Sequence, residues 1–161
     1  NVFRHEYKYV LNAFQYEILK SRLKFLTRDP YCKENGFYTV RSLYFEDLKG
    51  NSHYEKESGI HNRNKIRFRT YNNSTDFIVL ENKSKVGQLI HKKSVKISKP
   101  CVDRLLGDSA LLNSTLKKEF PDLENQTATR FYRPKVLIVM TKTFLQNPKL
   151  RIAASELRSN L

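Results

Sequence analysis

Two strand-like segments of this sequence carry charge on every second residue. One reads KIRFRTY and begins at Lys65; the other reads ENKSK and begins at Glu81. Alternation over such short stretches predicts β-strands whose successive side chains point to opposite faces of a sheet. Lys65, Arg67 and Arg69 would then share one face, and the apolar residues between them would share the other. A chain with these strands must fold with one strongly basic sheet face and one apolar face.

The other patterns in the chain predict a mainly antiparallel sheet with helices outside it. Strands are predicted in FRHEYKYVLN, at 37–45, 64–71, 76–83 and 88–97, and in PKVLIVMTKTFL and PKLRIAAS. The short polar turns YNNSTD and SKVGQ join the middle strands, which is typical of antiparallel neighbours. Helices are predicted from an N-cap at Asn12 to a stop at Pro30, and in KPCVDRLLGD and DSALLNSTLKKEF, with Asp108 as a cap. We therefore expect an α+β fold, a closed or nearly closed antiparallel β-barrel with helices packed outside.

Charged residues at alternating positions would line the inside of such a barrel. If apolar residues such as Phe68 and Leu80 pack outward against helices, the charged rows face the lumen. Such a lumen has to hold water, because like charges in a dry interior are strongly destabilising, and it should bind anions. The predicted inward residues are Glu6, Lys8, Arg41, Lys65, Arg67, Arg69, Glu81, Lys83, Lys85, Lys93, Lys142 and Arg151. Periodicity alone also allows these rows to form a solvated outer face.

The overall charge of the chain favours an anionic partner. Thirty Lys and Arg against 16 Asp and Glu give a formal net charge of +14, and such a field attracts polyanions. Nucleic acid, an anionic membrane surface and phosphate polymers all meet that condition. The two cysteines, Cys32 and Cys101, match no zinc-binding spacing. The four histidines are scattered along the sequence. They form no recognisable Ser/His/Asp or Cys/His arrangement of the kind that nucleophilic catalysis needs.

An ordered set of motifs resembles one known family. FRHEYKYVLN, YTVRSLYFED, KIRFRTY, VLENKSK, KKSVK and LRI follow one another in the order found in the VTC domain. This is the polyphosphate polymerase domain of the triphosphate tunnel metalloenzyme, or CYTH-like, superfamily. The likeness runs from Arg4 to about Leu161 and is strongest to the bacterial stand-alone type.

The resemblance implies a tunnel that transfers the γ-phosphate of a nucleoside triphosphate to an inorganic polyphosphate chain, with Mn²⁺ or Mg²⁺. By motif, it implies that the catalytic residues are Lys8, Arg67, Arg69 and Lys83. The substrate-binding residues are then Lys56, Lys93, Lys142 and Arg151, to which the charged rows add Arg41, Lys65 and Lys85. Glu6 and Glu81 are the implied metal ligands, since carboxylates suit these cations.

The sequence departs from the family pattern in its last third. The strand LIVMTKTFL has Val139, Met140 and Lys142 where the bacterial relatives carry an acid, an aromatic residue and an arginine. Ser155 stands near the place of an aspartate. A strand of the type LEVKY does not follow before Leu161. We therefore expect a single domain, 1–161, whose barrel is incomplete at the C-terminus.

Three functions remain open from the sequence. The first is the polymerase or, on the same tunnel, a triphosphate hydrolase. The second is a non-catalytic module that binds polyphosphate or an inositol phosphate. The third, a nucleic-acid-binding domain, is disfavoured because aromatic residues such as Phe68 alternate with the basic ones and read as core rather than as stacking platforms. We expect no nucleic-acid partner and no membrane span, and a location in the cytoplasm or, through another subunit, at the cytoplasmic face of a membrane.

Overall fold

The computed structural model of the protein describes residues 9–23, 27–28, 37–123, 130–146 and 151–158. The strands are β1 (Thr27–Arg28), β2 (Tyr38–Asp47), β3 (Arg63–Tyr71), β4 (Ile78–Val86), β5 (Leu89–Ile97), β6 (Tyr132–Gln146) and β7 (Arg151–Arg158). The helices are α1 (Ala13–Arg22), α2 (Asn51–Glu57), α3 (Lys99–Gly107) and α4 (Ser109–Glu119), followed by a 3₁₀ turn at Pro121–Leu123. In this part of the chain no helix is long and apolar enough to cross a membrane.

All strand pairs in the described sheet are antiparallel. The order is β5-β4-β3-β2-β6, with β7 and the short β1 also paired to β6. Across the described ranges, β5 pairs only with β4 and β7 only with β6, so the sheet is open. The prediction of an α+β fold dominated by antiparallel strands is confirmed, and the strands that the structure describes do not close into a barrel.

The first helix begins where the sequence predicts. The side chain of Asn12 accepts from the amide of Gln15 at 2.8 Å, and the side chain of Gln15 accepts from the amide of Asn12 at 3.0 Å. This reciprocal pair satisfies two amides that the first turn leaves without helical partners. The helix ends at Arg22, well before the predicted stop at Pro30. Most of the predicted strand in FRHEYKYVLN lies outside the described residues.

The apolar face of the sheet packs against α3 and α4. Phe45, Ile66, Phe68 and Leu80 form a buried cluster with residues of those helices, including Leu112. The rings of Phe45 and Phe68 meet edge to face, with centroids 5.0 Å apart. The carboxylate of Asp108 accepts from the amides at positions 110 and 111, which caps α4 as predicted. The prediction that the apolar rows pack outward against helices is confirmed.

Buried polar contacts fix the start of β6. Asn113 accepts from the amide of Tyr132 at 2.7 Å and donates to its carbonyl at 3.0 Å, which ties α4 to the strand. The guanidinium of Arg130 lies 2.6 Å from Glu55 on α2 and 3.6 Å from Asp47 at the end of β2. Burial alone would lower the pKa of Arg130, but its bonds to Glu55 raise it. These contacts hold β2, α2 and β6 in one arrangement around the sheet.

Candidate functional site

Three lysines lie side by side on the sheet face opposite the one that α3 and α4 cover. The register pairs Lys65 with Lys83 across β3 and β4, and Lys83 with Lys92 across β4 and β5. Side chains that are directly opposite on neighbouring strands lie close together, and like charges in such pairs are destabilising. An anion bound over this row would relieve that repulsion. This surface is called the basic face; its charged residues are Lys65, Arg67, Arg69, Glu81, Lys83, Lys85 and Lys92.

The buried carboxylate of Glu81 contacts three cationic side chains of the basic face. Glu81 has only 1% of its side chain exposed. Its Oε2 lies 2.7 Å from Nη2 of Arg67 and 3.5 Å from Nη1 of Arg69, and its Oε1 lies 3.3 Å from Nζ of Lys92. Burial alone would raise the pKa of Glu81, but the charges of Arg69, Arg67 and Lys92 outweigh it and hold the pKa below its usual value. Glu81 is therefore ionised at neutral pH.

Strand β2 supplies hydroxyl groups to both arginines. The Nη1 of Arg67 donates to the hydroxyl of Tyr44 at 2.6 Å, and the guanidinium also lies over the Tyr44 ring, 5.4 Å from its centroid. The Nε of Arg69 donates to the hydroxyl of Ser42 at 3.3 Å. Each arginine is thus held between Glu81 on one side and an uncharged hydroxyl on the other.

The cluster keeps an excess of positive charge. Arg67, Arg69 and Lys92 bring three positive charges, and Glu81 neutralises one of them, so two remain. Arginine can grip two phosphate oxygens at once through its planar fork, and lysine acts as a point charge. Lys65 and Lys83, the other two lysines of the row, add further positive charge next to the arginines. The arrangement is suited to an anion with several charges, such as a chain of phosphates.

The part of the same face formed by β6 is apolar. The register with β2 sets Val136 opposite Tyr44, Ile138 opposite Ser42 and Met140 opposite Val40. Lys142 follows on the same face, opposite Tyr38. Since a strand rises roughly 3.3 Å per residue, Lys142 lies about 13 Å along β6 from Ile138. Lys142 therefore shares the face but belongs to a different part of it from the cluster around Glu81.

The register differs from the prediction at two of the expected binding residues. Arg41 pairs with Thr70 and Val139, and Lys93 pairs with Asn82. Both lie on the opposite face from Arg67, because they occupy the alternate positions of their strands. The expectation that they share the basic face is therefore corrected.

The other predicted residues divide into two groups. The structure brings together Lys65, Arg67, Arg69, Glu81, Lys83 and Lys85 on the basic face. Glu6 and Lys8 lie outside the described residues, as do the side chains of Lys56 in α2 and Arg151 at the start of β7.

Sequence reasoning missed Ser42, Tyr44 and Lys92. A signal for the first two was present, since Leu43 and Phe45 are apolar and the residues between and beside them must point the other way. For HKKSVK the sequence gives two adjacent lysines, and only the register with β4 identifies Lys92 as the one beside Lys83.

The described residues do not form a divalent-metal site. Both oxygens of Glu81 are taken by cationic donors, and a metal ion would have to displace them against the repulsion of three positive charges. Within the described ranges no group of three or more His, Cys, Asp and Glu residues comes together. The expectation of Mn²⁺ or Mg²⁺, with Glu6 and Glu81 as ligands, therefore stays a prediction.

Comparison with known proteins gives one family and several solved structures of similar fold, two of which are described here. The family model described as the VTC domain matches residues 3–155. A candidate adenylyl cyclase from Hippeastrum, for which a dominant triphosphatase activity is described, is 12% identical, with a TM-score of 0.61 over 97% of this chain and 70% of that one. A candidate adenylate cyclase from Bacillus halodurans is 13% identical, with a TM-score of 0.61 over 98% of this chain and 72% of its own. No curated protein matches the chain. At these identities the two neighbours show a common fold.

Proposed function

Because this chain belongs to the VTC domain family, we propose that its basic face binds the triphosphate of a nucleoside triphosphate together with inorganic polyphosphate, and that the protein is a polyphosphate polymerase. The observation that carries the proposal is the row of Lys65, Lys83 and Lys92 next to the arginine pair. The face as a whole carries six cationic side chains and one carboxylate, and such a charge distribution attracts an anion with several charges.

The dimensions of the row suit a chain of phosphates. Neighbouring strands lie about 4.8 Å apart, so three lysines on three successive strands span about 10 Å. An extended triphosphate group can follow such a row and meet Arg67 and Arg69 beside it. Both arginines lie on β3 with Lys65, so they continue the basic surface along the strand.

In the proposed reaction no protein side chain forms a covalent bond to the transferred phosphoryl group. The bond between the γ-phosphorus and its bridging oxygen breaks, a terminal oxygen of the polyphosphate chain forms the new bond to that phosphorus, and a nucleoside diphosphate leaves. Catalysis of such a transfer rests on positioning and on neutralising charge on the phosphoryl oxygens. We assign that work to Arg67, Arg69 and Lys83, with Lys92 added. Lys8 stays a predicted fifth partner outside the described residues.

A triphosphate hydrolase is the second candidate. It is favoured by the triphosphatase activity described for the Hippeastrum neighbour. The same basic face would serve, with water in place of the polyphosphate end as the attacking group. The departures at Val139, Met140 and Lys142 lie along β6 and leave the cluster around Glu81 intact.

The experiment that tests the proposal is an assay of both products in one reaction. Purified protein is incubated with ATP and polyphosphate primer, with Mn²⁺ and with Mg²⁺, and both long polyphosphate and free phosphate are measured. We expect the polyphosphate chains to lengthen. Free phosphate alone would replace the polymerase with the hydrolase. Neither product, with tight tripolyphosphate binding by calorimetry, would leave a binding module. No binding would overturn the proposed function.

A further inference from the structure

We propose that Tyr44 is a positioning residue, whose hydroxyl fixes the guanidinium of Arg67 in the orientation that grips a phosphate. The inference rests on the proposed function, because it takes the bound anion to be a phosphate. It concerns a residue on β2 that has no charge and no role in the predicted set of binding residues.

The contacts of Arg67 with Glu81 and Tyr44 involve all three of its nitrogens. Nε donates to Oε2 of Glu81 at 2.8 Å, Nη2 lies 2.7 Å from the same oxygen in an ion pair, and Nη1 donates to the Tyr44 hydroxyl at 2.6 Å. A guanidinium carries five N–H groups in a rigid plane. Among the described residues, at least one N–H on Nη1 and one on Nη2 therefore remain to donate. Two donors on neighbouring nitrogens are the pair that binds two oxygens of one phosphate.

Glu81 alone would hold only one edge of the guanidinium. Its contacts reach Nε and Nη2, and the Nη1 side would be left to turn toward water. The Tyr44 hydroxyl contacts that second side, and its ring lies against the guanidinium, 5.4 Å from centroid to Cζ. Only 12% of the Arg67 side chain is exposed, so few other groups can take over this contact. Tyr44 therefore restricts the rotation of the Arg67 guanidinium on the side that Glu81 does not contact.

A hydroxyl at this place has an advantage over a second carboxylate. It accepts a hydrogen bond from the arginine without cancelling its charge, so the excess positive charge of the cluster is kept for the ligand. Ser42 contacts Arg69 in the same way, at 3.3 Å. Both hydroxyls come from alternate positions of one strand, β2, which sets them beside alternate positions of β3.

The test is Tyr44→Phe, which removes the hydroxyl and keeps the ring. We expect tripolyphosphate to bind about tenfold more weakly, since a hydrogen bond to a charged group is worth about 1.5 kcal/mol or more. Tyr54→Phe, at an exposed tyrosine of α2, is the matched control and should bind as the wild type does. Melting of the Tyr44 variant should stay within a few degrees of wild type.

A double-mutant cycle with Arg67→Ala, measured by calorimetry at low ionic strength, separates positioning from direct contact. If Tyr44 acts through Arg67, adding Tyr44→Phe to Arg67→Ala should change the affinity by less than twofold. An equal loss in both backgrounds would mean that Tyr44 touches the phosphate itself, and would overturn the inference.

A second readout needs no ligand. Rotation of the Arg67 guanidinium about its Cζ–N bonds can be followed by ¹⁵N NMR exchange in the ligand-free protein. We expect it to be slow in the wild type and clearly faster in Tyr44→Phe. Unchanged rotation would overturn the positioning role even where tripolyphosphate binds. Faster rotation in a protein that does not bind tripolyphosphate would keep the positioning role and refute the proposed function instead.

Discussion

The carboxylate of Glu81 accepts a hydrogen bond from Nε of Arg67 on the neighbouring strand at 2.8 Å, and Nη2 of the same guanidinium lies 2.7 Å from that oxygen. The two residues are register partners across β3 and β4. Arg69 and Lys92 approach the same carboxylate. One negative charge thus organises three positive ones, and the first predictions concern its removal.

Glu81→Gln should destabilise the protein by about 3 kcal/mol, the order found when one partner of a buried ion pair is removed. The amide keeps the shape of the side chain but leaves two arginines and a lysine without their counter-ion. Chemical denaturation at low salt measures the loss. An unchanged unfolding free energy would show that the cations are stable without Glu81.

The stabilisation by Glu81 should depend on pH in a defined direction. Its pKa in the folded protein lies below the unperturbed value of 4.5, so the unfolded chain binds more protons as the pH falls through that range. The contribution is therefore complete above about pH 5 and is lost as the pH falls toward the folded pKa. Denaturation of wild type and Glu81→Gln across pH 3–7 should show their difference shrinking only at the acid end. A constant difference would contradict the assignment.

Two adjacent lysines provide a matched test of the basic face. Lys92→Ala should weaken tripolyphosphate binding about tenfold, because a charge within several ångströms of a phosphate contributes on the order of 1–2 kcal/mol at intermediate dielectric. Lys93→Ala removes the same charge one residue away, on the opposite face, and should change the affinity less than twofold. Calorimetry at fixed ionic strength compares them. Equal losses would mean that net charge, rather than the face, governs binding.

Arg130 should matter for stability and not for binding. Arg130→Ala leaves Glu55 and Asp47 buried without their shared cation, and we expect a loss of about 3 kcal/mol. Arg133→Ala removes the same charge at an exposed position of β6 and serves as the control. Thermal melting measures the first effect, and tripolyphosphate affinity at a temperature where the variant is folded checks the second. Weaker binding by the folded variant would connect this cluster to the basic face.

The two faces of the sheet could be predicted from the sequence because the alternation is local. Phe68 and Leu80 lie in the core, and Lys65, Arg67 and Arg69 lie on the other face, as a period of two requires. The caps at Asn12 and Asp108 were equally readable, since each is a short polar side chain directly before a helix.

The register between neighbouring strands could not be predicted from the local alternation of residues. From the alternation alone, Arg67 is one of a row of like charges with no assigned counter-ion. The register sets Arg67 opposite Glu81, 14 residues further along, so Arg67→Ala should destabilise the fold. The same register separates Lys92 from Lys93 and brings Tyr44 to Arg67. The contact of Arg67 with Glu81 depends on the length of the turn between β3 and β4, which contains two residues in the left-handed conformation, Asn72 and Asn73.

The basic face has a further consequence under the proposed function. It carries six cationic side chains and one carboxylate, and a ligand that binds only the folded state at a hundred times its Kd adds about 2.7 kcal/mol to stability. We therefore expect the fraction of folded molecules, and with it their resistance to proteolysis, to rise with the concentration of added tripolyphosphate.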